Sequence, residues 1–457
     1  MIAIVFLLIL VAIMVGVALT GGGQGHLPIP ELLSLVGLFV FFFGSGVYIG
    51  AALGVLALIA GFVFSDRPFW LFIGQTIWTP SSSFVLIAVP LFLLMGEILL
   101  RAGLSDRLYR SLNLWLNRLP GGLLHTNVVS SGVFSAISGS SVATAATMGS
   151  VALPFFKNTA YDKKYVLGSL AAGGALGNLI PPGITFIIYG LLTETSVGKL
   201  YIAAIGPSLL VLGLFLLVIF IHGYRHPLPS AKEVIPFRVK LRGLIDLLPT
   251  AILVLVVLGT IYGGVATPTE SAAFGVVAAI ALAAFDGKLS WKLLNESADA
   301  TARNTALIGL ILLGAYLLNY VLTTLGLPQA LAKAVAGMPL PPWIIMALII
   351  GFYLALGTFM EGFSMVITTI PVIFPVAMAL GYDPVWFGVI VTILVEIALI
   401  SPPDGTVLYV LQGLRRDGGR ITDVFSGVIP FLAVYILAVA ILMWVPGIAL
   451  WLPSVMR

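Results

Sequence analysis

The 457-residue chain has no cysteine, so disulfide bonds are excluded and thiols say nothing about its redox compartment. Charge is nearly as scarce: charged residues make up 9% against 60% hydrophobic, and mean hydropathy is +1.15. A soluble domain of this length does not carry so little charge, whereas an integral membrane protein does. The sequence also lacks His-Glu-x-x-His, Gly-x-Ser-x-Gly and any phosphate loop ending in Gly-Lys-Ser/Thr. Those absences argue against a membrane enzyme and against ATP as a direct energy source. The net charge of +4 gathers into no basic-aromatic patch, so no nucleic-acid partner is expected. His26, His125, His222 and His226 show no ligand spacing.

What is abundant is small or helix-breaking. The 50 glycines and 27 prolines fit broken, closely packed membrane helices. Ile2–Thr20 is an uninterrupted apolar run. It lacks a basic leader and a clear Ala-x-Ala site, which favours a spanning anchor over a signal peptide, and residues 1–22 are read as an extra N-terminal transmembrane helix. Gly46, Gly50 and Gly54 put small residues on one face of a second apolar region, a spacing for close helix contact. Trp70 and Trp78 read as interfacial belt residues. Leu104, Leu108, Leu112 and Leu116 recur every fourth residue among Arg101, Arg107, Arg110 and Arg118. That pattern predicts an amphipathic arm lying on the membrane surface. Residues 222–246 form the long hydrophilic connection, rich in Arg and Lys, and are placed in the cytoplasm. Glu97 and Glu270 read as structural, the latter at a Thr-Pro-Thr helix start.

The chain is organised around Ser138-Gly139-Ser140-Ser141, at the centre of an apolar run from about 121 to 157. Each flank gives about 24 Å of helix, short of the roughly 30 Å hydrocarbon core. Small polar residues there are tolerated where the chain turns and lines a cavity, so a re-entrant helical hairpin is expected. Pro181-Pro182-Gly183 then breaks a helix over about 165–192. The second half restates these landmarks. Pro375 follows Pro154, Tyr382-Asp383 follows Tyr161-Asp162, and Pro402-Pro403 follows Pro181-Pro182, each by 221 residues (375 − 154, 382 − 161, 402 − 181). The expected fold is an all-α polytopic membrane protein with two structural repeats, 23–221 and 247–457. The second repeat has its hairpin at about 343–378 and its broken helix at about 385–413. Interrupted segments at corresponding positions point to the central site of a carrier, and repeats in carriers are commonly inverted about the membrane plane.

At these motifs the chain resembles the large membrane subunit of the tripartite ATP-independent periplasmic (TRAP) transporters. The resemblance runs from about Leu32 to the C-terminus. It is carried by Ser138-Gly-Ser-Ser-Val-Ala-Thr-Ala-Ala-Thr-Met-Gly-Ser150, Leu179-Ile-Pro-Pro-Gly183, Ser196-Val-Gly-Lys-Leu200, Thr267-Pro-Thr-Glu-Ser271, Gly357-Thr-Phe-Met-Glu361 and Ser401-Pro-Pro-Asp-Gly405. It implies an elevator-type, sodium-driven secondary transporter in the bacterial inner membrane. It also implies a periplasmic binding protein that delivers a small organic acid, and a small four-helix membrane subunit. The chain departs from the family pattern in its N-terminal run, in Glu361 where aspartate is expected, and in Asp404 where an apolar residue is usual.

Sodium prefers oxygen ligands, which hydroxyls and unwound backbone supply. The first sodium site is expected where Ser138, Ser140 and Ser141 face Gly177 and Asn178. The second is expected where Thr358, Met360 and Glu361 face Ala398 to Ser401. The helices restarting after Pro182-Gly183 and Pro403-Asp404 would turn their N-termini toward an anionic substrate held between Ser140-Ser141 and Thr358, with Glu361 and Asp404 lining the cavity. For Glu396 either an ion role or pairing with a neighbouring helix is open. A channel and a stand-alone sodium- or proton-coupled carboxylate carrier are the competing readings.

Overall fold

The computed structural model describes residues 37–39, 41–42, 47–64, 69–157, 159–227 and 236–456. The Ile2–Thr20 run, Gly46 and the centre of the basic connection lie outside them. Among the described residues the regular structure is helical, without strands. The first half contains α1 (Ile49–Phe64), α2 (Ile73–Ser81), α3 (Ala88–Ala102), α4 (Leu104–Leu116), α5 (Leu123–Ser138), α6 (Ser141–Ala152), α7 (Lys163–Gly174), α8 (Ile184–Thr193) and α9 (Val197–Arg225). The second contains α10 (Phe237–Gly243), α11 (Leu248–Tyr262), α12 (Pro268–Phe285), α13 (Trp291–Thr324), α14 (Leu327–Ala336), α15 (Pro342–Leu356), α16 (Gly362–Ala379), α17 (Pro384–Ile400), α18 (Thr406–Leu414), α19 (Ile421–Trp444) and α20 (Gly447–Val455). Seven helical stretches among the described residues are long and apolar enough to cross a bilayer. This is an all-α polytopic membrane fold.

Local chemistry sets many helix starts. Asp162 caps α7 by accepting from Lys164 N, and Asp383, 221 residues on (383 − 162), caps α17 by accepting from Val385 N and Trp386 N. Thr267 and Glu270 form a capping box at α12, which gives Glu270 its structural role. Glu97 pairs with Arg101 at 3.4 Å.

The helices pack in two groups. In the outer group α1 lies along α13, α3 packs on α12 and α13, and α11 packs on α12. At the α1–α13 crossing a Cβ on Gly50 would come within 2.9 Å of Leu310 Cγ, and one on Gly314 within 2.6 Å of Gly50 O. The glycines are what let these backbones approach. In the inner group α5 pairs with α6 and α15 with α16, each as a hairpin. There α7 packs on α5 and α19, α18 on α6, α8 on α16, and α17 on α16.

Between the groups runs α4, the predicted arm. Arg107 reaches Asp286 at the end of α12 (2.9 Å), and Arg101 just before the arm reaches Glu296 of α13 (2.8 Å). Protein covers the first half of its leucine face, while Leu112 and Leu116 stay partly exposed. Leu104 and Leu108 are buried, and Leu108 packs with Phe134 and Met148 of the first hairpin. Sequence periodicity shows that a helix has an apolar face but not what covers it.

Candidate functional site

The first tip is built from a left-handed glycine and a capping serine. α5 stops where Gly139 takes φ 59°, and Ser140 then caps α6 by accepting from Ala143 N. Ser138 Oγ pairs with Thr144 Oγ1 at 2.6 Å, so its hydroxyl is used inside the hairpin. α7 ends at Gly174, earlier than the proline break, and the chain runs through turns to Gly183, with a cis Pro181–Pro182 bond.

Tip and break fit closely together. A Cβ on Gly177 would strike the Ser140–Ser141 backbone, and one on Gly183 would strike the Asn178 carbonyl. Ile184 N donates to Gly139 O (3.2 Å), and Pro182 O faces Gly139. Asn178 N and Nδ2 both donate to Ser141 Oγ at 3.0 Å. Thus Ser140, Ser141, Gly177, Asn178, Pro182 and Gly183 are brought together, with Ser138 one step back.

Glu396, in the C-terminal part of α17 in the other half of the chain, joins the two. It is fully buried. Ser141 Oγ donates to its Oε2 (2.7 Å) and Asn178 N to its Oε1 (2.8 Å). Tyr435 of α19 donates to Ala175 O (2.8 Å), holding the end of α7. These backbone groups belong to the unwound stretch and have no helical partner, and a buried N–H without an acceptor costs about 1–3 kcal/mol. Glu396 and Tyr435 are how the fold satisfies that stretch.

The second tip is closed from within. Glu361 caps α16, its oxygens accepting from Phe363 N and Ser364 N (both 3.0 Å) and from Ser364 Oγ (3.1 Å). Thr358 Oγ1 donates to Ala355 O in its own helix (2.7 Å). Gly357 and Gly362, which bracket Thr358, Met360 and Glu361, lie against Ala398 and Val395 of α17. Thr358–Glu361 is thereby placed beside Ala398–Ser401, yet no hydrogen bond among the described residues joins the two segments. Ser401 is buried, and Asp404 is exposed. The Pro402–Pro403 bond is cis.

Two oxygens escaped sequence reasoning. Thr185 Oγ1 and Thr406 Oγ1, in the first turns of α8 and α18, are buried without a partner, as is Asn178 Oδ1. The threonines are 221 residues apart (406 − 185), so the spacing already in hand could have found them. Glu396 carried no such signal, because its partners lie 218 and 255 residues away. Beyond α18, Arg415 grips Asp417 and Asp423, and Lys163 adds a 3.1 Å contact to Asp417. The Arg415 hydrogen bonds hold the Asp417 carboxyl well below the usual carboxylate range.

Two hairpin tips, each set against a proline break, define a membrane carrier fold. Among solved structures the chain is similar to the Alcanivorax borkumensis YdaH transporter, with a TM-score of 0.60 at 17% identity, covering 93% of this chain and 99% of that one. That likeness shows the fold. Residues 35–448 match the family described as the tripartite ATP-independent periplasmic transporter, DctM component, and the chain belongs to that family. It is 35% identical over 379 residues to the C4-dicarboxylate TRAP transporter large permease protein DctM of Pseudomonas aeruginosa, covering 82% of this chain and 87% of that protein. It is 30% identical over 439 residues to the protein of the same name from Rhodobacter capsulatus, covering 93% and 99%. The chain is therefore a TRAP transporter large subunit, a multi-pass protein of the bacterial inner membrane, in a family that is a transporter permease and not an enzyme class.

Proposed function

We propose that this subunit carries a small organic acid inward in symport with sodium, by moving one body of helices past another. The observation that carries the reading is the placement of unpartnered oxygens. Asn178 Oδ1, Thr185 Oγ1 and Thr406 Oγ1 are buried at the two breaks without a hydrogen bond. Buried polar atoms are ordinarily satisfied, and uncharged oxygens beside unwound backbone suit a hard monovalent cation. The first ion would take oxygens around Ser138, Ser140, Ser141, Gly177 and Asn178. The second would take those around Thr358, Met360, Glu361, Ala398 and Ser401. The substrate would lie between Ser140-Ser141 and Thr358, with its carboxylate toward the starts of α8 at Pro182-Gly183 and of α18 beside Asp404.

In this reading α5–α8 and α15–α18 travel together as two repeats of inverted topology. The shared packing of α6 with α18 and of α8 with α16, and the Glu396 bridge, support one body. The outer helices and α4 stay fixed, α4 being ion-paired to that group. A small four-helix membrane subunit completes the scaffold, and a periplasmic binding protein delivers the substrate. The names of the relatives make C4-dicarboxylates the first class to try.

Thermal unfolding of the purified chain in detergent tests the ion step without a substrate. Sodium, titrated against choline at equal ionic strength, is expected to raise the midpoint. A ligand of the folded state adds about 2.7 kcal/mol at a hundredfold excess over its Kd. Ser140→Ala and Thr358→Ala are each expected to reduce the response. Identical curves in sodium and choline would overturn sodium coupling.

A further inference from the structure

Ser138, Ser140, Ser141 and Asn178 bring four side-chain oxygens to the first tip and break. Ser138 Oγ is paired with Thr144 Oγ1, and Ser140 Oγ accepts from Ala143 N at 3.4 Å. Ser141 Oγ is fully used. A hydroxyl has one proton to give and two lone pairs to fill. Its proton goes to Glu396 Oε2 (2.7 Å), and it accepts from Asn178 N and Asn178 Nδ2 (both 3.0 Å). Asn178 Oδ1 alone of the four has no hydrogen bond, on a residue only 1% exposed.

The direction of these bonds is set at Glu396. A carboxylate can only accept. Its Oε1 takes the Asn178 N–H (2.8 Å) and its Oε2 takes the Ser141 proton. Ser141 then has no proton left to give the Asn178 amide. The amide must turn Nδ2 toward Ser141 Oγ and Oδ1 the other way. The main chain allows the residue little other freedom. A Cβ on Gly177 would strike the Ser140–Ser141 backbone, and one on Gly183 the Asn178 carbonyl. Among the described residues no ion pair includes Glu396. Each hydrogen bond in such a row polarises the next, so the buried charge makes Oδ1 more negative.

We infer that Glu396 is a positioning residue for the first sodium ion: through Ser141 it fixes which end of the Asn178 amide faces the ion, and Asn178 Oδ1 is the ligand. This rests on the sodium reading above. The Ser141 hydroxyl then supports the site without ligating. A flipped amide would turn the Nδ2 hydrogens toward the cation and repel it. An amide oxygen backed by a buried carboxylate suits a hard monovalent cation. Glu396 lies in the second half of the chain, so the ligand is aimed only when the two halves are packed together.

Glu396→Gln tests the direction of the amide. The Asn178 N–H still needs an acceptor, so the new side chain turns its oxygen there and its nitrogen to Ser141 Oγ. The Ser141 proton then passes to Asn178, whose Oδ1 turns inward and Nδ2 toward the ion. Unfolding of the full chain in detergent is followed across sodium, with choline at equal ionic strength as the control. The sodium concentration for half the rise in midpoint is expected to increase about tenfold. Asn178→Asp added to Glu396→Gln exchanges the two groups and leaves an acceptor at either end of the shorter side chain. That pair should return to within about threefold of the wild type. Should it fold poorly, Asn178→Ala gives a second reading. It should weaken sodium about as much as Glu396→Gln, and the two together no more than either.

A wild-type response that Glu396→Gln leaves unchanged would overturn the aiming of Asn178 while sodium coupling stands. A loss that the exchange does not restore, or that adds to that of Asn178→Ala, would overturn it in favour of a purely structural Glu396. Identical wild-type curves in sodium and choline would overturn both readings.

Discussion

Around Pro181–Pro182, every residue from Ala171 to Gly190 except Ile180 is buried, and the unwound backbone is held by Glu396 and Tyr435 from the far half of the chain. Around Pro402–Pro403, Pro403 and Asp404 are exposed, and the closing bonds are short in sequence. Those are Gly405 N to Ser401 O, Tyr409 OH to Pro403 O, and Glu361 to its own helix start. The same interruption is thus stabilised in two ways. The first break is completed only when both halves of the chain have come together. The second can close as soon as its own segment forms.

Glu396→Ala cuts the stitch and should have the largest effect. It leaves Ser141 Oγ without its acceptor and Asn178 N with only its 3.0 Å bond to Ser141 Oγ in a buried site, at a cost on the order of 3 kcal/mol. Glu361→Ala removes only a partly buried helix cap, for about 0.5–2 kcal/mol. Unfolding of both variants side by side measures the difference, and an equal or larger loss for Glu361→Ala would dissolve the contrast. Glu396→Gln keeps an acceptor and should retain much of what Glu396→Ala loses.

The glycines at the two breaks offer a finer comparison. Gly183→Ala drives a methyl into the Asn178 carbonyl, whereas in Gly405→Ala the nearest atom is Leu399 O at 2.9 Å. Both should destabilise, Gly183→Ala more, at about 1–3 kcal/mol for overpacking that the backbone cannot relieve. A larger midpoint shift for Gly405→Ala would show the second break to be the tighter one.

The smallest expected effect comes from the ion cluster beyond α18, a helix away from the second break. Asp417 has its folded-state pKa depressed by Arg415, so its contribution is present above its unfolded value of about 3.9 and is lost as pH falls through the folded one. The stability gap between the wild type and Asp417→Asn should therefore stay constant from about pH 7 to about pH 5 and narrow below. The group is 36% exposed, so the gap should also shrink in high salt. A gap that changes between pH 7 and pH 5 would point to another titrating group.

Much of the helix architecture was legible because it follows from local chemistry. A left-handed Gly139, the Pro-Pro pairs, Asp162 and Asp383 as caps, and the Thr267–Glu270 box each act within a few residues. The 221-residue spacing was legible as well, and it reaches as far as Thr185 and Thr406. The arm was readable as an amphipathic helix, but the packing of Leu108 on Phe134 and Met148 was not. In a chain that is 60% hydrophobic, a side chain facing lipid and one facing another helix look alike.

By itself, then, the sequence determined that this is a membrane protein, where its apolar runs are interrupted, and which family it resembles, because composition, breakers and caps operate over one or two turns. Only the tertiary structure decided that Glu396 reaches Ser141 and Asn178, that Ser138 turns inward to Thr144, and that the arm lies between two helix groups. Those outcomes depend on which buried donors find an acceptor across hundreds of residues, and pairing at that range is set by packing, which no local pattern records.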